Sequence, residues 1–138
     1  MNWKLILQLS LFGLAMGVAT VFWIPARVEP AFWLAILGVS AYLIAARCAD
    51  RYFLHGLLVG VANGVWVTAS HVLWFTRFLA GHPDEAAMIS SMPLPDSPRI
   101  MMVVIGPVIG VVSGCLIGLL AVVAARLLRR PAAAVRGP

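Results

Sequence analysis

Four long stretches of this chain carry no charged residue: Leu5 to Ala26, Pro30 to Ala46, Tyr52 to Thr76 and Ile100 to Ala125. A helix that crosses a bilayer needs about 20 predominantly apolar residues, with about 17 as the lower limit. Each stretch meets that length, so the chain reads as a protein folded in lipid. Composition agrees: 62% of the 138 residues are hydrophobic and 11% charged, against about half and about a quarter in a soluble domain. The expected fold is an all-α membrane protein of four transmembrane helices in an antiparallel up-down bundle. Residues 1–138 form one domain, with spans at about 4–25, 30–47, 52–78 and 98–128, an outer loop over 79–97 and a basic tail over 129–138.

Lys4 ahead of an apolar run resembles the start of a secretory signal. A signal core, however, is only about 7–15 residues long and is followed by a small-residue cleavage site. Here apolarity continues to Trp23-Ile24, and Ala15 and Ala19 lie inside the run, so the segment reads as a retained first span.

Lys and Arg accumulate in cytoplasmic loops. One side of the four spans collects Lys4, Arg47, Arg51, Arg126, Arg129, Arg130 and Arg136; the other has Arg27, Arg77 and Arg99 together with Glu29, Asp84, Glu85 and Asp96. This places the chain in the cell membrane with both termini cytoplasmic. The same bias accounts for the net charge of +5, which is therefore no footprint of nucleic-acid binding. The partners expected are the lipid bilayer, including anionic headgroups near the basic tail, and either a second copy or another membrane protein.

Trp and Tyr concentrate at membrane interfaces. Trp3, Tyr52 and Phe53 fall at inner ends, and Phe22, Trp23, Phe32, Trp33, Trp74 and Phe75 at outer ones; only Trp66 lies deep in a span. The turns at Arg27–Glu29 and Arg47–Arg51 are short, which predicts consecutive helices packed as antiparallel neighbours. The third connection is long, with three prolines and most of the acidic residues, and Ser97-Pro98 closes it as a helix start.

The strongest pattern is Gly106, Gly110, Gly114 and Gly118, spaced four apart in an apolar run. Small residues at this spacing let a second backbone approach. The third span has its own set, Gly56, Gly60 and Gly64. Counting inward from Arg51 and Arg126 places Gly60 level with Gly118 and Gly64 level with Gly114, and predicts a hydrogen bond from Asn63 to the Ser113 hydroxyl or a nearby backbone carbonyl. The rival surfaces for the ladder are Gly13 and Gly17 of the first span, or the same ladder in a second copy.

Polar residues inside the membrane sit almost wholly on the third span. Asn63, Ser70 and Arg77 share a stripe, with His71 about a quarter-turn away. Asn63, Ser70, His71, Trp74 and Ser113 are the candidate polar pocket. Pro107 removes a helical hydrogen bond, which predicts a bend near Gly106 and an outward cavity lined by His71, Trp74, Met102 and Gly106. His55, four residues from Arg51, is expected at the inner interface.

No Asp or Glu lies within a span, whereas carriers coupled to protons or sodium usually place one there. His82, Asp84, Glu85, Met88 and Met92 bring imidazole and thioether together in the outer loop, a combination that suits copper(I), but their spacing matches no defined site, and no metal or cofactor is assigned. Cys48 and Cys115 form neither a CxxC nor a disulfide framework. No catalytic constellation is present, so an enzyme is not expected. Two readings follow: a non-enzymatic bundle acting by association, as accessory subunit or homo-oligomer, or a small transporter or channel protomer with its pathway on the third span.

Overall fold

The computed structural model describes residues 1–129, and the part of the basic tail beyond Arg129 lies outside the described residues. It is helical throughout, with no strand among the described residues: α1 (Trp3–Phe22), α2 (Glu29–Arg47), α3 (Tyr52–Leu73), α4 (Phe75–Gly81), α5 (Pro83–Met88), a 3₁₀ turn (Ile89–Ser91) and α6 (Pro98–Arg129). Four of these, α1, α2, α3 and α6, are long and apolar enough to cross a membrane. In lipid, a spanning backbone must satisfy its own hydrogen bonds, and a helix does so within one segment.

Local chemistry sets the ends. Asn2 caps α1 by accepting from the Leu5 amide at 3.1 Å. Pro30 and Pro83 sit in the first turns of α2 and α5, where a missing N–H costs nothing. Between α2 and α3 the chain reverses sharply at Arg51, whose φ of 52° is the one left-handed non-glycine conformation among the described residues. The third span is shorter than expected: α3 stops at Leu73, Trp74 leaves helical geometry, and α4 restarts at Phe75. The long connection is largely built of α4, α5 and the 3₁₀ turn.

Helix α3 is the centre of the packing, seated chiefly on α6 and next on α1, while α2 packs on α6. The first two helices touch little despite their short turn, so a short connection did not make α1 and α2 packed neighbours. One apolar core near the chain termini draws on all four spans, through Leu5 and Leu9, Ala41 and Ile44, Val59, and Ile117 and Ala121.

The glycine ladder faces α3. A methyl added at Gly56 would fall on the backbone of Gly118, and one added at Gly60 on the backbone of Gly114; at Gly64 it would lie 2.8 Å from the Gly110 Cα, and at Gly106 it would strike the Thr68 hydroxyl. Numbers rise along α3 as they fall along α6, so these two helices run in opposite directions. The register is one turn away from the level count, which paired Gly60 with Gly118. The observed register seats three glycines of α3 on three of α6, whereas the counted one seats only two, and closer backbones gain more van der Waals contact.

Gly13 and Gly17 of α1 also meet α3, but on its other flank, against Asn63 and against Val67 and Ser70. The first span is therefore not the ladder's partner within the chain. Helix α6 stays helical through Pro107.

The contrast with α2 supplies a test, because nothing lies within 4 Å of a methyl built on Gly38. Gly60→Ala should destabilise the solubilised bundle by about 1–3 kcal/mol, the usual cost of overpacking, and Gly114→Leu by more. Gly38→Ala should be neutral or slightly stabilising. Unfolding in mixed detergent and SDS, followed by circular dichroism, reads all three.

Candidate functional site

His55, Asn63, Ser70 and His71 of α3 lie along its seam with α1, and each is hydrogen-bonded. Near the chain termini His55 is buried; its Nε2 accepts from the Asn2 amide at 2.9 Å, which leaves Nδ1 protonated and donating to the Arg51 carbonyl at 2.9 Å. His55 thus ties the start of α1 to the start of α3, instead of meeting water or headgroups as its position predicted.

Two turns further on, Asn63 is buried and its Oδ1 accepts from the Gly13 amide at 3.1 Å. The expected bond to Ser113 is not formed. Asn63 and Ser113 instead line opposite sides of a crevice of about 60 Å³, with Trp33, Leu37 and Gly110 around it. The reason is the bare face at Gly13, where the absence of a side chain lets the amide oxygen reach the α1 backbone. Ser70 donates to its own helix, to the Trp66 carbonyl at 2.9 Å, and its side chain covers Gly17.

At the end carrying the long connection the seam becomes richer. Thr20 donates to the Met16 carbonyl at 2.9 Å, so its oxygen is free to accept from His71 Nε2 at 2.9 Å. Phe78 of α4 is fully buried between two imidazoles, stacked 3.8 Å from His71 and 4.3 Å from His82 by ring centroid. His82 is 1% exposed; Nδ1 donates to the Phe78 carbonyl at 3.0 Å, while Nε2 has no hydrogen-bond partner and stands 3.5 Å from Glu29 Oε2. Glu29 accepts the Trp33 indole N–H at 2.9 Å through its other oxygen. Burial pushes the Glu85 carboxyl above its usual range; His82 opposes the shift and Glu29 adds to it. Among the described residues no three of His, Cys, Asp and Glu are grouped to hold a metal ion.

The cavity expected from His71, Trp74, Met102 and Gly106 is not formed. His71 turns toward α1, Trp74 meets Phe22 edge-on at 5.6 Å, and Thr68 covers Gly106. Met102 borders a separate crevice of about 30 Å³ with Phe75, Leu79 and Met92. Of the tryptophans, Trp3, Trp23 and Trp74 are exposed, Trp33 is half-buried with its indole N–H on Glu29, and Trp66 is exposed in the middle of α3. Cys48 and Cys115 are both free.

Sequence reasoning missed Thr20 and Phe78, and it placed His82 and Glu29 in separate outer connections without bringing them to His71. A signal was present, since His71, Phe78 and His82 are spaced seven and four apart, one face of a continuous helix. Thr20 and Glu29 carried no comparable cue, because they join the group from other helices. Comparison with family models, with curated proteins and with solved structures finds no match.

Two outcomes follow from this geometry. Gly13→Ala should destabilise more than Asn63→Ala: the added methyl would lie 2.5 Å from the Asn63 Cα, whereas losing a hydrogen bond inside a membrane costs about 0.6 kcal/mol on average. SDS titration of the two variants gives the order. Glu85, with its folded pKa raised, favours the fold while protonated and weakens it once ionised. Stability should therefore fall as pH rises from the ordinary carboxylate range through the raised folded value, and Glu85→Gln should abolish that fall; melting temperatures across pH 4 to 8 (roughly the span over which a perturbed carboxyl titrates) test it.

Proposed function

We propose that this chain is a non-enzymatic helical bundle of the cell membrane that acts by association, with a second copy or with another membrane protein, and that it sits as an antiparallel up-down bundle with both termini cytoplasmic. The distribution of Lys and Arg supports the orientation. No cofactor, metal or nucleic acid enters the reading.

One observation carries it. The glycines of α1, α3 and α6 meet neighbours inside the chain, while α2, the least buried of the four spans, packs Ser40, Ala41 and Ala45 inward and leaves its glycine on an outer face. Gly38 has open space before it, and Ala31, Ala35, Leu34 and Tyr42 beside it are exposed. Helix association in lipid runs on close packing at small residues, and this is the face of α2 on which a further helix packs closely.

The transport alternative draws on the third span, but Asn63, Ser70 and His71 are bonded within the bundle, and the crevice between Asn63 and Ser113 is about 60 Å³. Cysteine at position 38 should cross-link two chains in native membranes, or a photoreactive group at position 35 should capture a second membrane protein, with a cysteine at 114 inert in both assays. Cross-linking through 114 alone, or none at either face, would overturn the association reading. Labelling of cysteines at 63, 67 and 70 by aqueous thiol reagents would favour the pathway.

A further inference from the structure

At the end of α1, Trp23 and Ile24 both donate their amides to the Ala19 carbonyl, and Pro25 has no N–H. The carbonyls of Thr20, Val21 and Phe22 are therefore left without a following backbone donor, as the last carbonyls of a helix usually are. This turn forms one wall of an open pocket of about 480 Å³, lined also by Trp23, Pro25, Arg77 and Gly81. The volume is in the range of small-molecule sites, about 300–1,000 Å³.

The opposite wall brings a cation. Arg77 of α4 is exposed, joins no ion pair among the described residues, and holds its guanidinium 5.9 Å above the Phe22 ring. That contact fixes the side chain without neutralising it. Gly81, across the pocket, contributes no side chain, and nothing lies within 4 Å of a methyl built there. Trp23, 75% exposed, stands at the rim, where indole rings mark the boundary between hydrocarbon and headgroups.

Two opposite demands thus face one pocket at the bilayer surface. The guanidinium calls for a phosphate, which it binds with charge-assisted hydrogen bonds. Bare carbonyls at the negative end of a helix dipole call for a cation that donates hydrogen bonds. A simple anion meets the first demand alone, and a quaternary ammonium has no N–H to give the second. We propose that this pocket binds a phosphoethanolamine group, its phosphate on Arg77 and its primary ammonium on the carbonyls of Thr20, Val21 and Phe22. The group is carried by a phospholipid headgroup or by the free phosphomonoester. This site is independent of the α2 face on which the association reading rests.

The test uses the full chain in detergent micelles containing equal amounts of phosphatidylethanolamine, phosphatidylcholine and phosphatidylglycerol, with retained lipid counted by native mass spectrometry. Wild type should retain phosphatidylethanolamine over the other two, and Arg77→Gln should lose about tenfold of that retention, the effect of one charge-assisted bond. Gly81→Leu, which fills the pocket and leaves Arg77 in place, should lose it as well. Arg99→Gln, removing the guanidinium that lies 5.2 Å from the Phe75 ring, should not. In a parallel arm without lipid, free phosphoethanolamine at millimolar concentration should raise the melting temperature only if the soluble compound is the source, and only with Arg77 present. Equal retention of all three lipids with no response to the free compound would overturn the proposal, as would undiminished retention in a folded Arg77→Gln or Gly81→Leu variant.

Discussion

Helix α3 is held by glycines on both flanks, Gly13 and Gly17 of α1 on one side and the four-residue ladder of α6 on the other. In lipid there is little hydrophobic gain from bringing two apolar helices together, because the surrounding chains are as apolar as the side chains. Contact area and backbone proximity decide instead. Gly60 on Gly114 and Gly56 on Gly118 bring two backbones closer than any side chain would permit, and this contact sets the register of the bundle. Polar bonding follows from it: Asn63 reaches the Gly13 amide only because no side chain intervenes.

The two ends of the bundle are built differently. Near the termini, His55 bridges α1 and α3 with both ring nitrogens engaged, and the core from Leu5 to Ala121 joins all four spans. At the opposite end the short helix α4 packs against α1 and α5. There Phe78 lies between His71 and His82, and the free nitrogen of His82 faces Glu29. The pocket at the end of α1 opens at the same level. Hydrogen bonds and a shared core thus close the termini end around His55, while stacked rings close the opposite end around Phe78.

Much of this was legible beforehand. The four spans, the importance of the glycines in the fourth, and the concentration of polar groups on the third follow from length, spacing and the cost of polar groups in lipid. Less legible was which residues meet. The level count erred by one turn because Arg51 and Arg126 are poor markers of depth: long basic side chains reach the interface from a range of backbone positions. His71 was visible as a residue, but its partner Thr20 was not, since a threonine within an apolar run has many ways to bond its own helix.

What the sequence by itself determined is the number of helices long and apolar enough to cross a membrane and the small faces available to them, because both depend on local composition and period. Which small face meets which was decided only by the tertiary structure. Gly13 and the ladder are equivalent by spacing alone, and only the simultaneous fit of α1 and α6 to the two sides of α3 distinguishes them. The same holds for the buried His82 and its approach to Glu29, which lie 53 residues apart in sequence. Their meeting depends on where α4 restarts after Trp74, and that break is a property of the packed chain and not of any local signal.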